Sequence, residues 1–77
     1  MNEKMEYALL VEILNEAIGM AAAILKSEGQ IEQADALRGQ RAKVLSGKMP
    51  LPELQAFVAQ CAGITKPFFE QHASKKQ

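Results

Sequence analysis

The chain has 77 residues, 48% of them apolar and 23% charged, with nine basic and nine acidic side chains and a formal net charge of zero. That length allows one domain with a small core, and that composition excludes a wholly disordered chain. A single cysteine, Cys61, and a single histidine, His72, exclude an internal disulfide and a structural Cys/His zinc site.

The N-terminal residues Met1 to Glu6 are acidic and lack the basic-then-apolar order of a signal peptide. The longest uninterrupted apolar stretch, Ile18 to Leu25, is short for a membrane span. The expectation is a cytoplasmic protein with no membrane partner. Charge is nonetheless uneven along the chain. Residues 1–37 hold seven acids against two bases, a net of −5, and residues 38–77 hold seven bases against two acids, a net of +5. Halves that neutralise each other on packing, a basic face for nucleic acid, or head-to-tail complementarity between chains would each account for this.

Residues 3–27 predict one long helix. Tyr7, Val11, Leu14, Ile18, Ala21 and Leu25 recur at steps of four and three, which places them on one face. A second apolar row, Leu9, Ile13, Met20 and Ile24, leaves only a narrow polar stripe of Glu12, Asn15, Glu16, Gly19 and Lys26. A helix apolar over so much of its girth needs cover on more than one side. It is therefore expected to be the central helix or the seam of a homodimer, with Tyr7, Val11, Leu14, Ile18, Ala21 and Leu25 as the candidate seam. Gly19, Ala22 and Ala23 would let a neighbouring helix approach closely.

Gly29 is a stop signal, and a second helix is predicted over 30–45. Its apolar positions are Ile31, Ala34, Leu37, Val44 and Leu45, interrupted by Arg41. Glu32 and Asp35 come early and Arg38, Arg41 and Lys43 late, as the helix macrodipole favours. The run Ser46 to Pro50 breaks the pattern, so the first two helices should form an antiparallel hairpin. Pro52 suits the first turn of a third helix, 52–62, with Leu54, Phe57, Val58 and Cys61 as its buried row. Gly63 is expected to end that helix. Thr65 would cap a short fourth helix, 66–73, with Pro67 in its first turn. Residues 73–77 would form a frayed basic tail. The expected architecture over 1–77 is a single all-α domain: a small helical bundle made of a hairpin plus a C-terminal helical corner.

Catalytic constellations are absent from the sequence. Ser46, Gly47 and Lys48 follow a helix rather than a strand and lack the upstream glycine of a phosphate-binding loop. The glutamates of the first helix have no histidine partners for a di-metal site. Cys61 lies on an apolar row and reads as a small buried hydrophobe. No catalytic residue, metal ligand, cofactor or small-molecule substrate is expected. The function expected is that of a non-enzymatic adaptor, chaperone-like or inhibitor protein, of the size phages and mobile elements often encode. It would dock helix faces onto a protein partner. Candidate partner-binding residues are Phe68 and Phe69 beside the basic tail, with Arg38, Arg41, Lys43 and Lys48 as a basic surface.

One segment suggests a second function. Ala59 is followed four residues later by Gly63, then by Ile64, with Phe69 five residues further on. Over residues 55–72 only, this resembles the helix-turn-helix family of DNA-binding motifs. The resemblance implies a turn at Gly63 and a recognition helix opening at Thr65. Thr65, Lys66, Gln71 and Lys75 would then face DNA in a small dimeric transcriptional regulator. The same pattern also suits a helical corner that merely closes a bundle.

Overall fold

A computed structural model describes the backbone of residues 3–75 and the side chains of residues 3–72. It contains three helices: α1 (Glu3–Ser27), α2 (Ile31–Leu45) and α3 (Leu51–Lys75). The all-α helical bundle expected from the sequence is what forms.

Glycine sets both connections. Gly29 has a φ of 84° and Gly47 a φ of 77°, values that side chains other than glycine's adopt only with strain. At the end of α1 the Gln30 N–H donates to the Leu25 carbonyl at 2.9 Å and the Gly29 N–H to the Lys26 carbonyl at 3.0 Å. Carbonyls left over at the helix end are thus satisfied before the chain reverses. At the end of α2 the Ser46 hydroxyl donates to the Lys43 carbonyl at 2.6 Å and accepts from the Lys48 N–H at 3.2 Å.

α1 is the central element. α2 and α3 each pack along it and scarcely touch one another. The core combines Leu14, Ile18, Ala21, Ala22 and Leu25 of α1 with Ala34, Leu37 and Val44 of α2 and Leu54, Phe57 and Cys61 of α3. Tyr7 and Val11 pack against it. The row expected to form a dimer seam is therefore used within the chain, because α2 and α3 both lie against it. Side-chain hydrogen bonds add three ties to α1. The Tyr7 hydroxyl donates to the Met49 carbonyl, Gln55 Nε2 donates to Glu6 Oε2 at 3.3 Å, and Arg41 Nη2 donates to the Asn15 carbonyl at 2.9 Å.

The C-terminal corner does not form. α3 runs without a break through Gly63 and Pro67. The apolar steps explain this: Leu54, Phe57, Cys61 and Ile64 follow one another by three, four and three, and Ile64 packs on the core. The row thus crosses Gly63 without changing face. Pro67 has no N–H to give the Gly63 carbonyl four residues earlier, so one helical bond is missing there. Residues 73–75 of the expected frayed tail belong to α3, and Lys76 and Gln77 lie outside the described residues.

The fold is flat. Its extents are 41 × 28 × 15 Å. Its radius of gyration is 13.6 Å, against about 11–12 Å for a compact domain of this length. α1 as a whole is also long and apolar enough to cross a membrane by length and composition. The uninterrupted run Ile18 to Leu25 understated this, because scattered polar residues split a helix that is apolar on average. In this fold the face of α1 toward α2 and α3 is buried in protein.

Candidate interaction surfaces

Among the described residues no group of three His, Cys, Asp or Glu side chains converges as a metal site would require. Cys61 is 1% exposed, and desolvation by burial pushes its thiol up from the ordinary value. It stays a protonated apolar group at neutral pH, which suits the core and not nucleophilic chemistry. The surface then offers three places where something could dock.

The first is the C-terminal half of α3. Past Ile64, no described apolar residue of α3 belongs to the core or packs on it. Phe68 is half-buried and Phe69 is 50% exposed. Their rings meet edge to face, with centroids 5.4 Å apart. The His72 ring lies 4.0 Å from that of Phe68, and His72 Nδ1 is 2.9 Å from the Phe68 carbonyl. The three rings form an aromatic ledge on one helix. Helical spacing sets His72 on Phe68, because residues four apart share a face.

The second is the cleft where α2 and α3 fail to meet. One part, of about 280 Å³, is lined by Gln33, Leu37, Gln40, Gln60 and Ile64, with Leu25 of α1. The next part, of about 340 Å³, shares Gln40 and Gln60 and adds Met49, Glu53 and Phe57. Sequence reasoning missed this cleft. It depends on the distance between two helices that are not bonded to each other, and no local spacing encodes that.

The third is the face of α1 turned away from both other helices. Leu9 lies nine residues before the buried Ile18, about two and a half turns at 3.6 residues per turn, and so points the opposite way. Leu9, Ile13 and Met20 are 47%, 43% and 45% exposed. The expected second apolar row is thus split: Ile24 is buried and these three are not.

The basic residues separate as well. Arg38, Lys43 and Lys48 are exposed. Arg41 is half-buried and lies across Gly19, where a Cβ would come within 2.9 Å of its Nη2. Its Nε is buried without a hydrogen-bond partner. Arg41 is therefore a clamp between α2 and α1, its guanidinium lying against Gly19. Of the residues tied to DNA recognition, Thr65 is half-buried while Lys66 and Gln71 are exposed, all on the unbroken α3. The side chain of Lys75 lies outside the described residues.

No protein-family model, no curated protein and no solved structure matches this chain.

Proposed function

We propose that this chain is a non-enzymatic protein–protein interaction module of the cytosol, a small adaptor, chaperone-like or inhibitor protein that works by docking helix faces. The observation that carries this reading is the Phe68, Phe69 and His72 ledge, set on the part of α3 that the core does not use. Aromatic side chains held rigidly at a surface are typical anchors of protein interfaces, because they bury much area at little entropic cost. Exposed Lys66 on the same stretch of helix, with Arg38, Lys43 and Lys48 on and after α2, favours a partner of acidic surface. Arg41 is left out of that set, since it is engaged with Asn15.

The test is affinity capture from the source cells with the tagged chain and its Phe69→Ala and Phe68→Ala variants, with far-UV circular dichroism on each. The expected result is one enriched protein that falls by about tenfold or more in both variants while helicity is kept. An unchanged set of captured proteins would refute the reading. The competing reading is a DNA-binding regulator acting through exposed Lys66 and Gln71. Fluorescence anisotropy of a labelled DNA duplex separates the two. Binding that falls steeply with salt and is weakened by Lys66→Ala would move the assignment to DNA.

A further inference from the structure

The cleft between α2 and α3 continues past its first two parts. A third part, of about 250 Å³, shares Met49 and Glu53 with the second and is flanked by Lys43 and Lys48. The groove thus runs beside α2 from Gln33 to Lys43, about 15 Å at 1.5 Å per helical residue. Leu37, Phe57 and Ile64 give it an apolar floor, and Gln33, Gln40 and Gln60 set side-chain amides along its walls. Among the described residues, none of these three amides is hydrogen-bonded within the chain. Nor do Lys43, Lys48 and Glu53 form an ion pair among the described residues. Two positive charges therefore stand at that mouth against one negative.

We infer that this groove binds an extended segment of a partner protein, with an acidic side chain of that segment at the mouth between Lys43 and Lys48. The amides select the backbone conformation. Each glutamine offers a carbonyl acceptor and two N–H donors. An extended chain has free backbone N–H and C=O groups to meet them, whereas a helix spends its own internally. Length follows from geometry: at about 3.3 Å per residue, the groove takes four or five residues. Alternate side chains of an extended segment point the same way, so every second residue meets the apolar floor and is itself apolar. Main-chain bonds to the amides then supply affinity, while the floor and the two lysines supply specificity and direction. Phe68, Phe69 and His72 do not line this groove, so its occupancy stands apart from docking on the ledge.

Phage display of random heptapeptides, fused through their C-termini and selected on the immobilised full chain, tests this site. Enriched sequences are then made as labelled peptides and titrated by fluorescence anisotropy. The expected sequences alternate apolar residues and carry Asp or Glu at one end. Gln40→Ala and Gln60→Ala should each weaken the best peptide by about fivefold, the loss of one hydrogen bond. Lys43→Glu and Lys48→Glu should each weaken it by about tenfold or more. Gln60, Lys43 and Lys48 are exposed, so these variants keep the helical spectrum. N-methylation of single backbone amides in the peptide should weaken binding by a similar factor at one position or more, and this reading does not depend on any variant folding. No enrichment over the bare support would overturn the groove. So would a best peptide indifferent to both Gln60→Ala and Lys48→Glu, or one that turns helical on binding. A peptide lost with Phe69→Ala and kept with Gln60→Ala would also overturn the groove, and would support the ledge instead.

Discussion

Replacing Gly63 by alanine tests whether α3 is one helix. Gly63 lies inside α3, outside the left-handed region of backbone space, and a Cβ built on it meets nothing within 4 Å. No contact would be lost and no clash made. What changes is backbone entropy: glycine in a helix interior is roughly 0.8–1 kcal/mol less favourable than alanine. Gly63→Ala should therefore stabilise the protein by about that amount. In a domain this small each kcal/mol raises the melting temperature by about 4–8 °C. The assay is thermal unfolding by circular dichroism at fixed protein concentration, because association would make the midpoint depend on concentration. Gly39→Ala is the internal standard. It sits in α2 with equally open space and should gain a similar amount. A lower midpoint for Gly63→Ala beside a higher one for Gly39→Ala would refute the continuous helix. That is the result a helix-turn-helix would give, because a glycine holding a left-handed turn costs alanine about 1–2 kcal/mol.

Gly29→Ala should have the opposite sign, a loss of about 1–2 kcal/mol in urea unfolding, because φ is 84° there; an unchanged midpoint would contradict that geometry. Arg41→Met should lower stability by about 1 kcal/mol. It keeps the aliphatic stem and loses the bond to the Asn15 carbonyl, while removing the unpartnered Nε offsets part of that cost. Gly19→Ala should cost less than Arg41→Met in the same urea melts, because the one atom its Cβ would crowd is the far end of the flexible Arg41 side chain; a larger loss would contradict this. Cys61 should react with a thiol reagent far more slowly in the native protein than in urea. Because burial raises its pKa in the folded state, its contribution to stability is whole below the ordinary thiol pKa. It declines as pH rises above that value, where the unfolded chain releases its proton first. In Cys61→Ala this alkaline decline should shrink, as denaturant melts across that range would show.

The parts legible in the sequence are those whose causes are local. The steps of four and three from Tyr7 to Leu25 place a stripe on one side of α1 whatever surrounds it; that stripe is buried from Leu14 to Leu25, and Tyr7 and Val11 pack against the core. Gly29 and Gly47 mark reversals because only glycine enters the left-handed region freely, and both have positive φ. Signals at Gly63 and Pro67 were just as local and pointed to a corner that is not there. They are preferences of about 1 and 3 kcal/mol, set against the packing of Ile64 on the core and the backbone bonds of a continued helix. The row Leu54, Phe57, Cys61 and Ile64 held the contrary signal, but weighing it required knowing that a core extended that far. Arg41 could not be told from its exposed neighbours Arg38 and Lys43, because its role depends on the Asn15 carbonyl of another helix lying within its reach. The outer row of α1 shows the same division. Periodicity made Leu9, Ile13 and Met20 apolar neighbours on a helix. Only the placement of α2 and α3 against the opposite face determined that these three side chains would be left outside, because two short helices can cover only part of the girth of a third.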